Sequence, residues 1–347
     1  MLTFTETLID KISIHKVGDR NNEEGVLASE GELNVNDDIK EILGAYFLSS
    51  FKGGEFYQFY HAQELENNTV YSCVKTIFEN PEQLHEQSKI LAKYLYETSN
   101  HPSIQGGDFY TVYFQDCMYN NEPVDAIGLF KSETRQTYLK VYPGENGYTV
   151  EAEHGIDIRK LDKGCLILNM EKEKGFIVSL VDKTSKAEEA RSWMDDFLRV
   201  KQREDEYFQT ENVIKMYKDF VVKELPNEYQ VTKADQADMI NKSKKFFKEA
   251  DNFQLEDFTE KVLETPELID SFNNFKKSYE SENDIQISNE FDISESAVKK
   301  QSRVFKRVIK LDKNFHIYVH GNRDYIVKGF DQQTGLQFYQ VYFNEEK

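Results

Sequence analysis

The spacing of apolar positions changes twice along this chain. From Leu8 to Val17 polar and apolar residues alternate, with Leu8, Ile12, Ile14 and Val17 as the apolar members, which predicts an opening strand. Asp19–Glu24 reads as a polar turn. Asn36 then suits the cap of a helix expected from about Asp37 to Phe51, with Ile39, Ile42, Leu43, Tyr46 and Phe47 on one face and Gly53-Gly54 ending it. After the polar break at Asn67-Asn68, Pro81 introduces a second long helix reaching about Thr98. Its inward positions are Leu84, Ile90, Leu91, Tyr94 and Leu95. Gly106-Gly107 opens a block of period two. Phe109–Cys117, Val124–Lys131, Thr137–Tyr142, Thr149–Ile156, Cys165–Met170 and Phe176–Val181 all read as strands, separated by turn residues such as Asn120-Asn121, Gly144 and Gly147. Gaps of hairpin length argue for an antiparallel sheet.

From Lys186 the spacing becomes helical. Helices are expected at about Lys186–Phe197, Thr210–Lys223, Lys233–Ala250, Leu255–Leu263, Pro266–Tyr279 and Ser294–Ile309. Asn314–Val319, Tyr325–Lys328 and Leu336–Phe343 close the chain as a three-stranded β-meander. The fold class expected is α+β: an N-terminal antiparallel sheet with helices, then a mainly helical domain closing in a short β-meander. The boundary falls near 200, giving domains of 1–200 and 201–347.

The helix expected from Ser294 has two separate faces. At about 100° per residue, Ala297, Val298, Gln301, Val304, Phe305 and Val308 share one arc, with Ile309 at its edge. Lys299, Lys300, Arg303, Lys306, Arg307 and Lys310 share the opposite one. Ser294 is a good N-cap, and Glu295 suits the positive end of the helix dipole. Such a face is a candidate for binding a polyanion. An amphipathic helix packed on a core with a solvated basic side has the same pattern, and the sequence leaves both open. The preceding stretch Ile287–Lys300 also reads as the end of a helix-turn-helix, with a turn near Asp292. Glu295, Ser296, Lys299 and Lys300 would then approach bases or phosphates.

Composition sharpens this picture. The chain has 347 residues, 43 Lys+Arg against 62 Asp+Glu and a net charge of -19. Residues 1–206 hold 22 basic and 37 acidic residues, a balance of -15, and residues 207–347 hold 21 and 25, a balance of -4. The overall field does not attract nucleic acid. Any phosphate contact must come from a local patch, and positions 296–315 supply one with seven Lys+Arg against Asp312 alone. A second cluster, Lys242, Lys244, Lys245 and Lys248, is followed by Glu249 and Asp251 and reads as a solvated helix face. Cys73, Cys117 and Cys165 are odd in number and far apart, which argues for a reducing compartment. No run of 18 or more apolar residues spans a membrane and the N-terminus does not read as a signal peptide, so a cytoplasmic protein without a membrane partner is expected.

Catalytic motifs are missing. No Walker loop, dinucleotide fingerprint, His-Glu-x-x-His helix or Gly-x-Ser-x-Gly elbow occurs. Gly106-Gly107-Asp108-Phe109 shares part of a nucleotide-cyclase signature, but Tyr110 stands where that signature needs Glu, and a turn is the plainer reading. His316 and His320 lack a neighbouring third ligand. The reading is of a non-enzymatic protein with no cofactor or metal and no catalytic residue.

An ordered set of motifs carries a family resemblance. It runs from the strand ending in Ile14-His15-Lys16, through Gly107–Phe114 and the strand up to Phe130-Lys131, to Glu206-Tyr207-Phe208. It continues with Phe246-Phe247-Lys248, Phe253, Asp257-Phe258 and Leu311-Asp312-Lys313-Asn314-Phe315. In these the chain resembles the 37-kDa nucleoid-associated bacterial proteins, the NdpA family. The resemblance implies a bacterial cytoplasmic protein recovered with the nucleoid, and supplies no catalytic residues. Its expected partners are DNA or nucleoid proteins, contacted through the C-terminal domain. The alternative is an acidic protein–protein interaction module that does not touch DNA directly.

Overall fold

The computed structural model describes residues 2–51, 53–144, 147–182, 190–301, 308–312, 315–318 and 325–345. The chain divides into two compact units, Met1–Arg203 and Glu204–Lys347. The first opens with β1 (Leu2–Thr3), β2 (Leu8–Val17), β3 (Val26–Ala28), α1 (Asp37–Leu48), β4 (Tyr57–Phe59), α2 (Thr69–Glu79) and α3 (Leu84–Thr98). It continues with β5 (Gly107–Tyr119), β6 (Glu122–Ser132), β7 (Gln136–Gly144), β8 (Gly147–Gly155), β9 (Lys163–Leu168) and β10 (Ile177–Asp182). A π-wound turn, α4 (Ser192–Leu198), and β11 (Val200–Gln202) complete it.

The main sheet is antiparallel, in the order β11-β4-β10-β9-β6-β5-β2-β3, with β1 also on β5. Alternation along its strands fills two cores. Phe109, Ile127, Leu129 and Cys165 face Val74, Ile77, Leu91 and Trp193 from the helices on one side. Tyr110, Val112, Phe130 and Leu166 face Tyr46 and Phe47 of α1 on the other, with Phe47 stacked on Phe130 at 4.3 Å between ring centres.

Two helix faces differ from expectation. Ile39 and Ile42 are exposed, and α1 buries only Tyr46, Phe47 and Leu48. Ile90 is exposed on α3. An apolar stripe permits burial without requiring it. The sequence reading also passed over α2, whose cap is the polar Asn68: its Oδ1 accepts the Tyr71 N–H at 3.1 Å while its amide donates to the Leu198 carbonyl at 2.9 Å. Gly107 is a point of close approach and not a nucleotide loop. A Cβ there would lie 2.3 Å from the Ser132 carbonyl oxygen on the neighbouring strand.

Polar groups interrupt the first core twice. His15 is buried and satisfied on both ring nitrogens. Nδ1 accepts the Ser29 N–H at 3.1 Å, and Nε2 then donates to Ser88 Oγ at 2.6 Å. Lys131 and Lys163 face each other across β6 and β9, 1% and 2% exposed, and both ammonium groups lie 2.8 Å from the Glu133 carboxylate. Lys131 also donates to the Gln105 carbonyl at 2.8 Å. Burial pushes the Lys131 pKa down against the pull of Glu133.

The second unit contains α5 (Glu206–Asp219), which runs through a π-wound turn (Phe220–Glu224) into α6 (Leu225–Glu228). It goes on with α7 (Lys233–Glu249), β12 (Asn252–Gln254), α8 (Leu255–Val262), α9 (Pro266–Asn283), β13 (Glu290–Asp292) and α10 (Glu295–Lys300). Pro226 has no N–H for the Val221 carbonyl of the π turn, which accepts the Gln236 amide at 2.8 Å instead. Phenylalanines dominate its core: Phe220, Phe246, Phe253, Phe258, Phe272 and Phe291. The chain closes in β14 (Val308–Leu311), β15 (Phe315–Tyr318), β16 (Ile326–Asp331) and β17 (Leu336–Val341). These described strands pair as two ladders, β14 with β15 and β16 with β17, where one three-stranded meander was expected. The fold class is α+β with an antiparallel sheet.

Candidate nucleic-acid interface

The basic segment is anchored by α5. Ser294 caps α10 through Oγ, which accepts the Ala297 N–H at 3.4 Å, and Ala297 is fully buried. Three consecutive buried polar residues of α5 hold the approach to it. Gln209 Oε1 accepts the Ser288 N–H at 2.9 Å, Thr210 Oγ1 accepts the Ser294 N–H at 3.0 Å, and Glu211 accepts the Gln301 amide at 2.5 Å. These are positioning residues that apolar periodicity could not find, because they are polar on an inward face. The only signal was local, in the run Gln209-Thr210-Glu211 inside a helical pattern.

The expected helix of Ser294–Ile309 is shorter than its periodicity suggested. It ends at Lys300, and Val308–Leu311 is a strand paired with Phe315–Tyr318. The sequence Val308-Ile309-Lys310-Leu311 also fits a strand, and β-branched residues prefer that state. The six cations that share one helical arc in the sequence are therefore divided. Lys299 and Lys300 end α10, Lys310 lies on β14, and Arg303, Lys306 and Arg307 lie outside the described residues. The helix-turn-helix reading fails too. Glu290–Asp292 is a strand paired with Asn252–Gln254, so no first helix precedes the turn.

Lys299 Nζ lies 3.1 Å from the Glu295 carboxylate, and the two side chains are 78% and 86% exposed. An ion pair so open to water holds its charge loosely, and a phosphate can replace the carboxylate at little cost. Lys300 sits over the Tyr207 ring, 5.4 Å from its centre. α10 also packs against α7, which carries Lys244, Lys245 and Lys248. Lys245 and Lys248 are exposed and make no ion pair among the described residues. Lys242 is engaged: it meets Glu264 at 2.7 Å, and that hydrogen bond raises its pKa.

The remaining sequence candidates are plain. Cys73, Cys117 and Cys165 are buried free thiols, and burial pushes the first two up to about 11. His316 lies on β15, and His320 lies outside the described residues. Among the described residues no group of three or more His, Cys, Asp or Glu is placed to hold a metal ion, and no helix is long and apolar enough to cross a membrane.

No curated protein sequence matches the chain. Residues 13–334 match the family described as nucleoid-associated protein YejK, a description that names an association and no reaction. With nearly its whole length covered, the chain belongs to this nucleoid-associated protein family.

Proposed function

We propose that the chain contacts DNA, or a partner already on DNA, through its C-terminal unit, with the basic segment Lys299–Lys310 as the contact. The observation that carries this reading is local charge. In a chain of net charge -19, positions 296–315 hold seven Lys+Arg against one acid, and the end of α10 presents Lys299 in a solvent-exposed ion pair. Lys299, Lys300, Arg303, Lys306, Arg307 and Lys310 supply up to six phosphate contacts. Six such contacts make affinity fall about 10³-fold between roughly 50 and 200 mM salt.

The test is a salt titration of DNA binding by the full chain and by a variant with Lys299, Arg303, Lys306 and Lys310 all changed to Ala. The variant is expected to bind more weakly and with a flatter salt dependence. Equal slopes for the two proteins would remove this segment from the account.

A second reading rests on the acidity of residues 1–206, with a balance of -15. In it the first unit binds a basic nucleoid protein and the chain never meets DNA. Pull-down after complete nuclease digestion separates the two, because a partner retained without DNA supports this second reading.

A further inference from the structure

β7 and β8 pair only with one another and form an arm with two unlike faces. Cross-strand register sets Thr137 beside His154, Leu139 beside Ala152, Val141 beside Val150, and Pro143 beside Tyr148 on one face. The other face carries Tyr138, Lys140, Tyr142, Glu151 and Glu153, and satisfies itself. The Tyr138 hydroxyl donates to Glu153 at 2.5 Å, Lys140 lies 3.4 Å from Glu153, and Tyr142 donates to Glu151. The first face is open to solvent: Leu139 is 68% exposed, Val141 59%, Val150 58% and Tyr148 80%. A lone two-stranded hairpin is marginal in water, and a contiguous apolar face on one marks a contact surface.

The base of the arm is fixed. β7 and β8 are inserted between β6 and β9, which are neighbours in the main sheet. At that neck Glu133 bridges the buried Lys131 and Lys163, and the buried Asp162 accepts the N–H groups of Glu133 and Thr134, each at 2.9 Å. Buried charge of this kind is costly and is often kept where it fixes one geometry. The arm is mounted in a set direction.

We propose that the apolar face of this arm takes the same face of a second copy of this chain, the two arms antiparallel about a twofold axis. Charge favours that occupant over the others. Residues 136–155 hold Lys140 against Glu145, Glu151 and Glu153, which repels phosphate. The apolar face bears no carboxylate or ammonium, so it is where two chains of net charge -19 approach with least repulsion. The order of side chains is also self-complementary. Antiparallel stacking sets the bulky Tyr148 near the tip over the polar Thr137–His154 pair at the partner's neck, and sets Leu139 and Ala152 over Val141 and Val150. The ring of Tyr148 then buries its face while its hydroxyl meets polar groups. Eight such side chains offer on the order of 600 Å² per copy, short of the roughly 800 Å² per partner of a stable complex. The pairing is accordingly a reversible dimer in the micromolar range, of the commonest symmetry.

The experiment is sedimentation of the full chain from about 1 to about 200 µM, across the range where such a contact forms. Wild type is expected to move from the 40.7 kDa monomer toward twice that mass. Val150→Asp is expected to stay monomeric, and Thr149→Lys, on the opposite face, to associate as wild type does, both with unchanged circular dichroism. A single cysteine at Val141 gives an independent arm, since all three native thiols are buried: a short bis-maleimide is expected to capture a dimer. Wild type that remains monomeric throughout, Val150→Asp that associates normally, loss of association in Thr149→Lys, or no capture through position 141 each overturns the proposal.

Discussion

Asp162 holds Thr134 by both of its donors, taking the backbone N–H at 2.9 Å on one carboxylate oxygen and the hydroxyl at 3.0 Å on the other. With the Glu133 N–H on the first oxygen as well, one buried carboxylate ties down the strand that leaves the sheet. Asp162→Ala removes three hydrogen bonds to one buried carboxylate and is expected to cost about 2–3 kcal/mol, the range for lost hydrogen bonds to a charged group. Urea unfolding measures the cost. Amide exchange should also speed up across residues 136–155 before it does in β5 or β6; uniform exchange rates would break the link between neck and arm.

Removing the acid between Lys131 and Lys163 should do more damage than removing one base. Glu133→Gln leaves two buried ammonium groups facing each other, with an expected loss of about 3–5 kcal/mol. Lys163→Met leaves a single Lys131–Glu133 pair and is expected to be milder. The comparison is of urea midpoints; equal losses would mean that the three groups do not act as a network.

Stability should fall in mild acid because of His15. Burial, with the nearby His85 and Lys89, pushes its pKa down to about 4 from the ordinary 6.5. Between those values the unfolded chain takes up a proton that the folded chain refuses. The contribution is complete above pH 6.5 and declines as the pH falls toward 4, by about 3 kcal/mol in all. Replacing His15 by Asn should flatten the fall in the urea midpoint over that window, whatever it costs at neutral pH.

Glu211 is expected to control the end of α10. Glu211→Ala removes the partner of the buried Gln301 amide and the carboxylate 3.1 Å from Lys215. A loss of about 2 kcal/mol is expected, with faster exchange over Glu295–Lys300. Lys299→Ala, by contrast, should change stability by less than about 0.5 kcal/mol, because its pair with Glu295 is in water.

Much of the first unit was legible in the residues. The period-two block beginning at Gly107 contains the strands expected there, because successive side chains fall on opposite faces of a strand and the intervening turns are marked by Asn and Gly. Leu8–Val17 and the cap at Asn36 were legible for the same local reasons. What escaped was set by tertiary partners. α2 carries a cap, Asn68, whose amide spans to Leu198, and nothing near Asn68 in sequence reveals that bond. The burial of Lys131, Lys163 and His15 is not legible in the sequence, since polarity alone cannot tell a solvated group from a paired one. In the basic segment, Val308-Ile309-Lys310-Leu311 fits a helical arc and a strand equally well, and only its pairing with Phe315–Tyr318 decides. Lys299 and Lys300 are where the helical reading put them; Lys310 is on a strand.

The insertion of β7 and β8 between two strands that are already neighbours has a consequence for how this protein changes over generations. Topologically the arm is an enlarged hairpin loop, so deleting, lengthening or exchanging residues 136–155 leaves the strand order of the main sheet intact. The sheet and its paired cores can then be inherited unchanged while the arm diverges. Relatives of this chain should therefore differ most in length and sequence between Arg135 and Ile156, and lineages can rewire what they associate with at one locus without risking the fold that carries it.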